Sequence, residues 1–217
     1  MIRPFGLNEF LTIVYATRWT LLLSLIALCG GAIGGMAIAL LRTGSFKFGR
    51  AFASAFIVTF QGTPLLMQLF LVFFGAAVLG YKIDPWAAAA IGLTLHASAY
   101  LGDIWRGCIE AVPKGQWEAA RALGLTYRTL MADVVLPQAT RIAIPPTVGF
   151  LVQLIKMTSV TAIIGFVELT RTGQIINNVT FKPFVVFSVV AAIYFILCWP
   201  LSYLSARLER RYAKATR

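Results

Sequence analysis

The chain has 217 residues, 59% of them hydrophobic and only 12% charged, with a net charge of +11 and a mean hydropathy of +0.81. Soluble domains carry about 25% charged residues, so this composition excludes an ordinary soluble enzyme or binding domain and points to a membrane protein. The basic excess does not indicate nucleic acid, because no solvated face interleaves basic residues with aromatics.

Residues 7–17 (LNEFLTIVYAT) are partly amphipathic and predict a short helix lying along the outer surface. Five long runs follow in which charge is almost absent: 19–41, 51–81, 85–102, 142–167 and 183–206, broken only by Lys156. A helix needs roughly 20 apolar residues to cross the hydrocarbon core, and unsatisfied backbone excludes most non-helical alternatives there. The expected fold is therefore an all-α membrane protein with five transmembrane helices. The run 85–102 continues to about Cys108, and the fourth span starts near Pro137. Run 51–81 is too long for one flat crossing and holds Gly62-Thr63-Pro64, so it predicts a tilted or broken helix. In the first span, Gly30 with Gly34 and Gly31 with Gly35 form a small-residue face for close helix packing, within this chain or against a second subunit. Cys29, Cys108 and Cys198 have no metal-like spacing and read as small packing residues, so no metal site is expected.

Charge sets the orientation. Placing the 42–50 loop, the 103–141 loop and the tail together collects thirteen basic residues, from Arg42, Lys47 and Arg50 to Arg207, Arg210, Arg211, Lys214 and Arg217. The other side holds five: Arg3, Arg18, Lys82, Arg171 and Lys182. The positive-inside rule then puts the N-terminus outside and the C-terminus in the cytoplasm. The expected organisation is an outer segment over 1–18, one transmembrane domain over 19–207 and a basic tail over 208–217.

Between the third and fourth spans, residues 114–137 (KGQWEAARALGLTYRTLMADVVLP) form a polar interruption. Good helix formers run from Trp117 to about Leu123, bracketed by Gly115 and Gly124. Ala119, Ala120 and Ala122 give a low profile, and Glu118 with Arg121 and Arg128 offers charge, so this helix suits a groove on a partner. An ordinary connector packed on its own bundle would show the same composition. The spacing of Glu118-Ala119-Ala120, Gly124, Val134 and Leu136-Pro137 closely resembles the docking loop of ABC-importer permeases, with Val134 where Ile is usual. Residues 60–70 (FQGTPLLMQLF), 98–124 and 154–174 (LIKMTSVTAIIGFVELTRTGQ) resemble the polar amino acid branch, and the resemblance covers most of 19–207.

The resemblance implies a type I permease subunit of the bacterial cytoplasmic (inner) membrane. Its implied partners are a second permease subunit, the same or homologous, two ABC ATPase subunits, an extracytoplasmic amino-acid-binding protein and a small polar amino acid. ATP and Mg would sit on the ATPase, since this chain has no G-x-x-x-x-G-K-[ST] phosphate loop and no catalytic role is expected for it. ATPase docking falls to Gln116, Glu118, Ala119, Ala120, Arg121 and Gly124. The family pattern is left at Gln61, where Arg is common, at Gly102-Asp103, where Ala-Glu is common, and at Met157, where Asp is common.

Candidate contacts along the solute path come next. Thr63 can cap a helix begun by Pro64, and such an end inside a bundle suits a substrate carboxylate, with Gly62 at the break and Gln61 and Gln68 nearby. Lys156, a costly intramembrane charge, faces an aqueous path or a partner, with Thr158 and Ser159 beside it. Glu168 and Arg171 read as an outer gate or a binding-protein contact. His96, alone in an apolar run, reads as a satisfied interior histidine. The alternative function is a stand-alone secondary transporter or channel. Against it, no acidic residue lies in the middle of a run, and no internal repeat is visible.

Overall fold

The computed structural model describes residues 4–44 and 46–215, and side chains up to Arg211. Arg3, Ser45, Arg217 and the side chain of Lys214, all within the loops and tail tallied above, lie outside the described residues. Every element among the described residues is helical: α1 (Leu7–Thr43), α2 (Lys47–Gly62), α3 (Leu65–Val78), α4 (Pro85–Glu110), α5 (Lys114–Ala122), α6 (Tyr127–Thr129), α7 (Leu136–Met157), α8 (Leu169–Thr180) and α9 (Pro183–Ala215). A π-helical turn (Leu130–Val135) joins α6 to α7, and a 3-10 segment (Thr158–Ile164) follows α7. Pro137, lacking an N–H, opens α7, and the wider turn before it accommodates the proline ring.

Among the described residues, three helical stretches are long and apolar enough to cross a membrane: Leu7–Thr43, Tyr127–Ile164 and Pro183–Arg211. The pair α2 and α3, bent by 104°, makes a fourth if it counts as one span. Helix α4 is less apolar because it is sheathed by its neighbours; Ala88, Ala89, Leu93, Ala97 and Leu101 along it are fully buried.

The surface helix expected over 7–17 is corrected. Those residues are the first part of α1, a single 37-residue helix about 55 Å long. No proline or glycine interrupts the chain between Leu7 and Cys29, and Ile13, Ala16 and Thr20 continue one buried face. That face packs on α8 and the start of α9, where Ile13 meets Leu169, Ile176, Val186 and Val190.

The glycine face of α1 is used within this chain, against α4. A Cβ at Gly35 would lie 2.9 Å from Leu101, and one at Gly102 would lie 2.7 Å from Ile38. Gly30, Gly31 and Gly34 abut Thr94, Ala97 and Ser98 in the same way. The two backbones therefore approach more closely than any larger residue allows. Helices α3 and α7 pack on the remaining sides of α4, and α9 covers α7 through Val152, Ile155 and Cys198.

Candidate functional site

At one end of the bundle, α5 stands on a small apolar base. Ala120 is buried in a cluster with Ile109, Val112, Leu130, Met131 and Val135, so the helix is seated on the π-helical turn that leads into α7, beside the end of α4. The rest of the expected docking set points away: Gln116, Glu118, Ala119, Arg121 and Gly124 are exposed. Leu123 is 78% exposed, an apolar side chain at the tip of α5 that the sequence reading did not assign to docking. Gly124 ends the helix with φ +73°, a left-handed conformation that L side chains adopt only at a cost. Leu125 N–H donates to Ala120 O at 3.1 Å and Gly124 N–H to Arg121 O at 2.9 Å, a Schellman stop. The spacing from Glu118 to Gly124 thus fixes both the exposed face and the rigid end of the segment.

The break expected in run 51–81 is present, but its capping differs. Thr63 ends α2 rather than capping α3, and its hydroxyl donates back to Thr59 O at 2.8 Å. Pro64 occupies the N-cap of α3, where its carbonyl accepts from Met67 and Gln68 N–H. Residues Gln61, Gly62, Thr63 and Pro64 are all exposed at the tip of this elbow. Gln61 Nε2 donates to Asp103 Oδ2 at 3.4 Å, and Asp103 and Glu110 flank Arg106 at 2.9 and 2.6 Å.

Gln68 is not a free solute contact. It is 8% exposed, and its Nε2 donates to Phe60 O at 2.8 Å and to Thr63 O and Oγ1 at 3.0 Å. Its Oε1 lies 3.0 Å from His96 Nδ1. His96 is therefore interior, as expected, but satisfied on one nitrogen only, since Nε2 is buried without a partner.

Around the end of α7, Lys156 is exposed and Thr158 is fully buried. As the helix tightens to 3-10 geometry, Thr158 donates to Ile155 O and Ser159 to Lys156 O, each at 2.7 Å. These two hydroxyls serve the backbone.

Glu168 is fully buried, so a surface contact with a binding protein does not fit it. Its carboxylate caps α8, accepting from Arg171 N–H at 2.8 Å, and also accepts from Tyr194 Oη at 2.9 Å and Thr20 Oγ1 at 3.4 Å. Thr20 Oγ1 in turn accepts from Leu169 N–H at 3.2 Å. The side chain of Arg171 turns instead to Gln174 at 3.1 Å. The carboxylate ties α1, α8 and α9 together.

Residues 30–214 match the family described as "Binding-protein-dependent transport system inner membrane component". The chain belongs to this family of ABC transporter permeases. It is similar to the probable amino-acid ABC transporter permease protein YckA of Bacillus subtilis, with 35% identity over 96% of this chain and 92% of that one. The probable glutamine permease protein GlnM of Bacillus subtilis is 36% identical over 89% and 91% of the two chains. Among solved structures, one described as an amino acid ABC transporter with histidines has a TM-score of 0.87 at 36% identity, covering 92% of this chain and 94% of that one. The MetNI methionine ABC transporter, at 20% identity and a TM-score of 0.80, shares the fold.

For this permease, α5 and the tip of the elbow are exposed, whereas Glu168 is consumed by internal packing. Replacing it, Glu168→Ala, is expected to strand the buried hydroxyls of Tyr194 and Thr20 and to cost about 2 kcal/mol. Thermal unfolding in detergent should show a lower midpoint for Glu168→Ala and near-parental behaviour for Glu168→Gln, which keeps an acceptor for Arg171 N–H. Equal midpoints for the parent and Glu168→Ala would remove the tether.

Proposed function

We propose that the permease carries a small polar amino acid across the bacterial cytoplasmic membrane by alternating access, driven by two ABC ATPase subunits gripping α5. The observation that carries this reading is α5 itself: anchored through Ala120, rigidly ended at Gly124, and presenting Glu118, Ala119, Arg121 and Leu123 outward. A helix built that way passes a push on its exposed face into the π-helical turn, through it into α7, and so into the bundle. ATP and Mg belong to the ATPase, and this chain performs no covalent step. A second permease subunit, the same or homologous, and an extracytoplasmic binding protein complete the assembly, with the N-terminus outside, the C-terminus inside and five spans counting α4.

The solute path runs past the elbow. At membrane depth, exposed irregular backbone is tolerated only against protein or water, so Gln61–Pro64 face a partner subunit or an aqueous path rather than lipid. The first turn of α3 leaves N–H groups without intrahelical acceptors, a suitable receptor for an amino acid carboxylate. Lys156, exposed at the end of α7, supplies a positive charge on the same solute or to the partner subunit.

The test is uptake of labelled amino acids by the assembled complex in proteoliposomes. ATP-dependent accumulation of one or a few polar amino acids is expected, and accumulation without ATP would remove the reading. In the same assay Lys156→Ala should lower uptake about tenfold while leaving ATPase assembly intact, as loss of one charge-assisted contact predicts. Unchanged transport kinetics would take Lys156 off the path.

A further inference from the structure

Gln68 sits in the first turn of α3, yet its amide reaches back to the last turn of α2. It takes the carbonyls of Phe60 and Thr63, which the helix break has left without their usual donors. One side chain thus spans both arms of the 104° elbow. All three acceptors on Nε2 require the amide in one orientation, because two are carbonyls and the third, Thr63 Oγ1, already donates to Thr59 O. Oε1 must then face His96, and Nδ1 must carry the proton.

His96 is itself held. Its ring stacks on Tyr100 at 4.5 Å and 30°, and Tyr100 stacks on Phe150 of α7 at 5.7 Å and 16°. A continuous series therefore runs from α7 through α4 to the elbow. A second, longer link lies on the same face: Gln61 to Asp103 at 3.4 Å. Gln61 and Gln68 are seven residues apart, as are His96 and Asp103, which is about two helical turns along α4. The elbow is seated antiparallel on α4 at both ends. An amide turned the other way would set its N–H₂ against Nδ1–H and its oxygen against three acceptors.

We propose that His96 is a positioning residue whose Nδ1–H holds the amide of Gln68 in that orientation against α4 and so keeps the angle between α2 and α3, making the elbow and α4 one rigid body during transport. The transport part rests on the function proposed above; the angle does not. His96 touches no solute in this scheme. It acts through Gln68, and the solute-facing groups of the elbow keep their positions only while that bond is made.

The experiment uses two substitutions that separate the ring from its N–H. His96→Phe keeps an aromatic stacked on Tyr100 and removes the donor. His96→Asn removes the ring but places an amide N–H where Nδ1 stands. Spin labels are attached at Val58→Cys and Val78→Cys, on the exposed faces of α2 and α3, in a Cys29→Ser background with the complex in lipid nanodiscs. Pulsed EPR is expected to give a narrow distance distribution for the parent and for His96→Asn, and a broadened or shifted one for His96→Phe and Gln68→Leu. The half-saturation concentration for uptake should rise about tenfold in His96→Phe and stay within about twofold of the parent in His96→Asn. The pair Gln68→Leu with His96→Phe should be no worse than either alone. A parental distribution in His96→Phe would overturn the proposal, as would His96→Asn behaving like His96→Phe. A broadened elbow in His96→Phe, in a parent complex that moves no amino acid, would uphold the brace and defeat the transport reading.

Discussion

Glu118→Lys and Gly124→Asp are expected to leave the permease inserted and folded while uptake falls by roughly 30- to 150-fold, the equivalent of about 2–3 kcal/mol of docking energy. The two act differently. Glu118 is exposed and, among the described residues, makes no ion pair within its own chain, so reversing its charge costs the bundle little and falls on the partner. At Gly124 a Cβ would meet nothing within 4 Å, and the φ of +73° costs most L side chains about 1–2 kcal/mol but an aspartate less. The strain loosens the Schellman stop, and the aspartate adds charge beside the exposed Leu123. ATP hydrolysis and uptake measured on the same proteoliposomes check both: hydrolysis should persist without matched transport. Normal uptake by Glu118→Lys would break the link between α5 and the motor.

The second large effect is structural. Gly31→Val should prevent α1 from closing on α4 and cost at least about 3 kcal/mol, because the added carbons meet Ala97 and its backbone rather than a flexible side chain. Little monodisperse protein should elute in size-exclusion chromatography of detergent extracts. Gly75→Val provides the control, since the nearest atom to a Cβ there is Leu71 Cγ at 4.0 Å, and its elution should match the parent. Equal elution of Gly31→Val and the parent would mean that the small-residue face serves another contact.

Local signals in the sequence marked the features that backbone chemistry dictates. Pro64 has no N–H to give Phe60 O and follows the weak helix formers Gly62 and Thr63, and α2 and α3 part there. The run from Lys114 to Gly124 has its formers and stop in order, and α5 is the result, with Ala119 and Ala122 exposed but Ala120 turned inward. What could not be read was which side chains meet across the bundle. Gln68 and His96 lie 28 residues apart, and neither carries a local sign of the other. Gln68 therefore looked like a free amide beside a break, when it is the group that braces it. Glu168 closes an apolar run and is followed within a few residues by Thr170, Arg171 and Thr172, which suggests a surface. The return of α8 into the bundle against α1 and α9 buries it instead. The continuity of α1 was hidden by Asn8, Glu9, Thr12 and Arg18, polar residues that suggested a boundary. The helix passes through them because its inward positions, Ile13, Ala16 and Thr20, stay small or apolar. Arg18 is accommodated on the outward face, with its guanidinium over the ring of Tyr15 at 3.7 Å.

The central claim is that α5 is the part of the permease a separate ATPase holds. A photoreactive residue introduced at Leu123 or Ala119 in the intact complex tests it directly. Irradiation should join the permease to the ATPase subunit, and the yield should change between the nucleotide-free and ATP-bound states. Crosslinks confined to the permease's own chain would contradict it.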